Sequence, residues 1–323
     1  MKLFKRASQI VPLLIVLSLF VVRVDYRLEA PGNLEPLDTF ITFENDATSD
    51  ADLNAIYIMS FNRPTLFQWG LAQWIESIDV TPLTPAQAAI TNTARFESGQ
   101  VARNSAIDKA IITAYESLGL EIAYTEKQLV YLIYDYAAGQ GLSIGDTILS
   151  VNGSTAIFDA FANAPCGETA DVQILDQAGE EKTLALMKHE AESCRFGFSL
   201  STYYEITELP LAYETTPTIV GGPSAGLMHT LYIYAAQNPD VTFQDVKIAG
   251  TGTINLDGSI GPVGSIKQKV YTAQQQNVDV LFIPSGSNYD EALAAFEAIN
   301  DPSFDLIEVS HFEDVLEALE VRP

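Results

Sequence analysis

Two segments carry residue types that could break a covalent bond: Gly222-Pro223-Ser224-Ala225-Gly226, and Gly258-Ser259-Ile260-Gly261-Pro262-Val263-Gly264-Ser265-Ile266-Lys267-Gln268-Lys269. Between them they supply a hydroxyl nucleophile and an amine base. A serine hydroxyl is a weak nucleophile at neutral pH until a base takes its proton, and a lysine can be that base only where its ammonium form is destabilised. The elements that hold the pair therefore matter as much as the pair.

Gly222 and Pro223 followed by the apolar run from Ala225 to Ala236 predict a loop entering a helix, with Ser224 at or near its amino end. Backbone N–H groups at such an end, those around Ser224 and Ala225, are free to hold an oxyanion. Val246 to Leu256 reads as a strand, Asp257-Gly258 as a turn, and Ile260 to Ile266 as the approach to a second helix whose first turns hold Lys269. A cation near a helix amino terminus and among apolar neighbours such as Ile266 and Val270 is disfavoured, which lowers its pKa toward the range of a general base. Lys267, two positions earlier, points to a different face and is expected at the surface.

Length and composition bound the rest. With 323 residues, 47% of them apolar, the chain can bury a substantial core and is expected to hold two folded units. Forty-two acidic against seventeen basic residues, a formal charge of −25, argue against a nucleic-acid partner, which would need clustered Lys and Arg. Lys2, Lys5, Arg6, Arg23 and Arg27 flank the apolar run Ile10 to Val22, which fits a signal anchor with the amino terminus inside and the rest of the chain outside the cytoplasm. A cleaved signal is the alternative, disfavoured because Arg23-Val24-Asp25-Tyr26-Arg27 follows the run where small residues are needed. Cys166 and Cys194 could pair in an oxidising compartment or stay as two buried thiols. His189, His229 and His311 are scattered without zinc-site spacing, so neither metal nor cofactor is expected.

Along the chain, Asp52 to Ser60 reads as a strand, Thr65 to Ile78 as a helix and Ser98 to Leu118 as a longer helix ending near Gly119. Strands follow at 129–134, 170–175 and 182–186, with Asn152-Gly153 as a type I′ turn. The pattern Gly-Leu-x-x-Gly-Asp-x-Ile-x-x-Val-Asn-Gly from Gly141 to Gly153, with its following strands, resembles a bacterial PDZ domain over roughly residues 119–190. The resemblance implies a module that adds extended peptides to a strand edge, as substrate selector or tether. Gly119, Leu120, Glu121 and Ile122 are the nearest substitute for the family's peptide-carboxylate loop. A spacer that only packs against its neighbour is the competing reading.

Pro223-Ser224-Ala225-Gly226, then Thr251-Gly252, then Gly258 to Lys269, resemble the proteolytic domain of Lon proteases, and more closely membrane-anchored bacterial relatives with a PDZ module. The resemblance implies Ser224 as nucleophile, Lys269 as its partner and Thr251 beside them, with Gly222, Pro223 and Ala225 in support. Thr253 stands where ATP-dependent Lon has an acidic residue, so the electrostatics around the lysine are expected to differ. It further implies an α+β fold: an anchor at 1–27, the first part of the proteolytic domain at 28–118, a PDZ-like insertion at 119–190 and the catalytic part at 195–323. A hexameric ring acting on exported proteins follows from the same likeness. No Gly-x-x-x-x-Gly-Lys-[Ser/Thr] loop occurs, so proteolysis is expected to be independent of ATP.

Two other readings use the same residues. Gly222-x-Ser224-x-Gly226 also fits the nucleophile elbow of an α/β-hydrolase esterase, with Asp290 or Asp301 and then His311 downstream, but it leaves the Lys269 segment unexplained. His229, five positions along the helix from Ser224, lies on a different face. A catalytically silent adaptor, holding exported proteins through the PDZ-like module, is the third.

Overall fold

The computed structural model describes residues 14, 16–44, 51–134, 140–190, 193–209, 211–238, 241, 243 and 246–320. Its strands, in chain order, are β1 (Tyr26–Pro36), β2 (Ile41–Phe43), β3 (Asp52–Asn62), β4 (Asp79–Pro82), β5 (Ala123–Ile133), β6 (Thr147–Val151), β7 (Thr169–Leu175), β8 (Glu181–Met187), β9 (Phe198–Glu208), β10 (Tyr213–Thr215), β11 (Lys247–Gly250), β12 (Thr253–Ile254), β13 (Ile260–Gly261), β14 (Val280–Pro284) and β15 (Asp305–Val309). The helices are α1 (Leu66–Ala72), α2 (Pro85–Ala89), α3 (Asn92–Ser117), α4 (Ile157–Asn163), α5 (Gly226–Gln237), α6 (Ile266–Gln275), α7 (Ser287–Ala298) and α8 (Phe312–Glu320).

Strand alternation builds the catalytic half. In the sheet of order β15-β14-β11-β3-β1-β4, Leu53, Ala55, Ile248, Val280 and Phe282 face one core, with Leu227, Met228 and Leu231 of α5 and Ile107, Ala110 and Ile111 of α3. Their neighbours Ile56, Ala249, Leu281 and Ile283 face the other, with Ile266, Val270 and Ala273 of α6 and Ala292 and Ala295 of α7. A strand buried on both faces reads as a continuous apolar run, as Val280–Pro284 does, and makes the sheet the middle of three layers. β15, β14, β11 and β3 run parallel, while β1 and β4 join antiparallel.

The predicted long helix is α3, which starts earlier than its periodicity suggests because the Thr91 hydroxyl caps it, accepting from Ala94 N at 3.1 Å. The helix expected over Thr65 to Ile78 ends as α1 at Ala72, and the chain turns into β4 against β1. The strand expected from Val246 to Leu256 is split: Gly250 ends β11, because Thr251 N turns to Phe282 O (3.1 Å) and Gly252 N to Ser224 O (2.8 Å). That break brings Thr251 to the serine loop.

A second, antiparallel sheet of order β8-β7-β6-β5-β9 surrounds its own core of Val130, Ile148, Val151, Val172, Ile174 and Leu186, with α4 against it. Cys166 and Cys194, left open between pairing and free thiols, are disulfide-bonded with Cα atoms 5.3 Å apart. Asn152 and Gly153 both take the positive φ of a type I′ turn, at 49° and 77°. β9 lies beyond residue 190, where the module was expected to end, yet it pairs with β5 from Ala123↔Glu208 to Ile133↔Phe198.

This pairing bears on the expected peptide-binding loop. Gly119–Ile122 is the link from α3 to β5, tied back by Leu120 N to Tyr115 O (3.0 Å), and Ile122 is buried in the catalytic core. One edge of β5 beside these residues is taken by β9, and β6 meets the other edge only at Gln128 and Leu129.

Of the expected anchor, residues 1–13 and 15 lie outside the described residues. Residues 16–21 are helical, with Val16, Leu17, Phe20 and Val21 exposed and the Phe20 ring stacked 4.9 Å from that of Phe67. Among the described residues, no helix is long and apolar enough to cross a membrane.

Candidate active site

Ser224 sits two residues before α5, whose N-cap is Ala225. Its loop is docked on the first half of α3: Gly222 N donates to Gly99 O (2.8 Å) and the Gln100 amide to Val220 O (3.2 Å). Gly221 lies so close to Gly99 that a side-chain carbon on it would stand 2.9 Å from Gly99 backbone atoms, so only glycine allows this approach. The N–H groups of Gly226 and Leu227 are taken by Pro223 O and Gly252 O. Those of Ser224 and Ala225 have no acceptor among the described residues, and they are the pair available to an oxyanion.

Lys269, in the first turns of α6, is 2% exposed. Its Nζ donates to Thr251 Oγ1 at 2.6 Å, and Thr251 Oγ1 in turn donates to the Ser224 carbonyl at 3.0 Å. The threonine thus ties the amine to the backbone of the serine. Burial drives the Lys269 pKa down to about 7, against a smaller opposing pull from Glu291. No carboxylate lies within ion-pair distance of it among the described residues, and Thr253, in the place of an acid, supplies none. A neutral amine that donates one hydrogen to Thr251 keeps its lone pair for a hydroxyl proton.

Lys267 has the role of contrast. It pairs with Asp79 of β4 and is partly exposed, as the expected change of face requires.

Ser224, Lys269, Gly222, Pro223 and Ala225 all line one cavity of about 880 Å³. One wall is β3 from Ala55 to Phe61. β11 pairs with β3 only from Asp52 to Ala55, so the remaining backbone edge of β3 faces the cavity without β11 beside it. His311 is elsewhere: it bridges Ser259 and its Nδ1 meets Ser310 Oγ at 3.1 Å, and it does not line the serine's cavity. Asp290 and Asp301 do not line it either. The triad needed by the esterase reading is therefore not assembled.

Two contributors lay outside the sequence reading: Gly99 and Gln100, both on α3. An isolated glycine inside a helical pattern is the one signal that could have pointed to Gly99.

Residues 180–322 match the family of the Lon protease (S16) C-terminal proteolytic domain. The chain is similar to the Lon protease of Mycoplasmopsis agalactiae, 27% identical over 217 residues that cover 66% of this chain and 21% of that protein. Lon protease 2 of Myxococcus xanthus is 29% identical over 212 residues, 64% of this chain and 24% of that protein. The Lon protease of Methanosarcina barkeri is 26% identical over 237 residues, 72% of this chain and 28% of that protein. The matched part of the chain spans 21% to 28% of the length of these relatives. Ser224, Thr251 and Lys269 all fall within the matched region, which resembles a serine peptidase domain.

Proposed function

We propose that the chain is a serine endopeptidase in which Ser224 Oγ attacks the peptide carbonyl while neutral Lys269 Nζ takes its proton. The ammonium then returns that proton to the departing amine; water, deprotonated by Lys269 Nζ, next attacks the acyl group, and the lysine gives the proton back to Ser224 Oγ as the ester bond breaks. The N–H groups of Ser224 and Ala225 hold the oxyanion. One observation carries this reading: a buried lysine with a pKa of about 7, held by Thr251, in the cavity of a serine whose loop ends at a helix amino terminus. The open edge of β3 supports an extended peptide as substrate, since its free backbone groups can pair with one.

The reading extends to an ATP-independent enzyme, anchored in the cell membrane by its first 27 residues, facing outward and acting on exported or membrane-associated proteins. A hexameric ring belongs to the same proposal. A PDZ-like module that tethers substrates would offer them a free strand edge, such as that of β8 at the end of its sheet.

Incubation of the purified protein with casein, without ATP, tests the core of the proposal. Cleavage should vanish in Ser224→Ala and in Lys269→Ala and persist in His311→Ala. An intact protein that leaves casein and other unfolded substrates whole would favour the adaptor, and loss through His311 alone the esterase. Carbonate extraction of membranes and protease accessibility in intact cells test the anchor and its orientation.

A further inference from the structure

Two of the polar side chains that line the cavity, neither used by the proposed reaction, are buried with an unpartnered nitrogen. Arg103 of α3 is 5% exposed, and its Nη2 is buried with no hydrogen-bond partner. Its guanidinium carbon lies 3.5 Å from the centroid of the Phe40 ring. His229 of α5 is 1% exposed, stacks on the same Phe40 ring at 5.5 Å, and its Nδ1 is likewise buried without a partner. Burial and the charge of Arg103 hold His229 down at about 3, so its imidazole is neutral. Burial lowers Arg103 only to about 10, so it stays charged at neutral pH. Both residues line the cavity that contains Ser224 and Lys269.

A charged guanidinium is rarely buried without an anion, because desolvation costs more than a ring face returns. The other charged groups around this cavity do not satisfy it. Arg27 and Glu29 pair with each other at 3.9 Å. Glu35 of β1 acts on Arg103 from beyond ion-pair distance. The ligand that fits an unpaired fork beside a neutral imidazole is a carboxylate, which can accept from both.

We infer that Arg103, backed by Phe40 and flanked by His229, forms a subsite for a carboxylate of the peptide substrate near the scissile bond, and so sets a preference for acidic sequences. The inference rests on the peptidase reading of the same cavity. Two sources share this chemistry, an Asp or Glu side chain and a free carboxyl terminus.

Matched fluorogenic peptides test it: Glu against Gln at each of the positions flanking the cleaved bond, and a free against an amidated terminus. With the full-length protein, kcat/KM should favour the acid of one such pair by about tenfold or more, carried by KM. The pair that shows the preference identifies the source. The ratio should fall close to one in Arg103→Met and to an intermediate value in Arg103→Lys, which keeps the charge and loses the fork. Thermal melts of both variants check that they fold. In parallel, fluorescence anisotropy on Ser224→Ala should show the same preference as binding, lost when Arg103→Met is added. Cleavage without acid preference in any pair would overturn the subsite and leave the peptidase standing. Acid-selective binding that depends on Arg103, without cleavage by the wild type, would keep the subsite and remove the peptidase.

Discussion

Replacing Lys269 by methionine separates the energetic signature of a buried base from its catalytic role. A lysine that titrates ordinarily near 10.5 and here at about 7 has had its charged form disfavoured by about 5 kcal/mol. Because the folded-state pKa lies below the unfolded one, the unfolded chain binds more protons between about pH 7 and pH 10.5, and stability rises with pH through that window. Below pH 7 both states carry the proton and the whole penalty is felt. At pH 6 the penalty is about 4.5 to 5 kcal/mol, and at pH 9 it has fallen to about 2 kcal/mol. Lys269→Met fills similar space without a charge, so it lifts the penalty at either pH. Against that gain stands about 1 kcal/mol for the lost hydrogen bond to Thr251. The bond is lost at both pH values, so it cancels in the comparison. Urea unfolding of wild type and Lys269→Met at pH 6 and pH 9 should therefore show the variant more stable, by about 2.5 kcal/mol more at the lower pH. The variant should be inactive, and the wild-type kcat/KM should rise with pH through a midpoint near 7. An equal stability difference at the two pH values would mean that the amine keeps its ordinary pKa in the fold, and with it the case for Lys269 as the base would fall.

Thr251→Val should lower kcat by about tenfold to a hundredfold, because it frees Lys269 Nζ from its acceptor, and Thr251→Ser should restore most of the rate in the same casein assay. Gly221→Ala should lower kcat/KM by about tenfold or more by pushing the Ser224 loop off α3, since the new carbon would stand 2.9 Å from Gly99. Gly99→Ala, whose new carbon would meet Gly221 at 3.4 Å, should be tolerated far better, and equal losses in the two variants would contradict the packing argument. Cys166→Ser with Cys194→Ser opens a link between residues 28 apart and should cost roughly 3.5 kcal/mol of stability in the β-rich module. Thermal unfolding with and without dithiothreitol checks it: reductant should lower the wild-type midpoint and leave the double variant unchanged.

The chemistry and most of the elements were legible along the chain. The serine loop, the helix after it and the lysine helix each show their own local pattern, because turn residues and a period of 3.6 act within about a dozen residues. The change of face between Lys267 and Lys269 followed from helical geometry alone. What folding in three dimensions decided was which groups lose water and which strands meet. Lys269 is buried only because α6 packs on the sheet, and the strength of its perturbation is a desolvation effect that no local sequence window contains. The break after Gly250, which brings Thr251 to Ser224, depends on hydrogen bonds to Phe282 and Ser224. β9 belongs to the sheet of β5 through pairs such as Gln128↔Thr202, so the extent of the β-rich module could not be read from one strand at a time. Arg103 reads as an ordinary exposed arginine on a long helix, and it becomes a buried, unpartnered charge only when Phe40, from a segment sixty residues upstream, covers it.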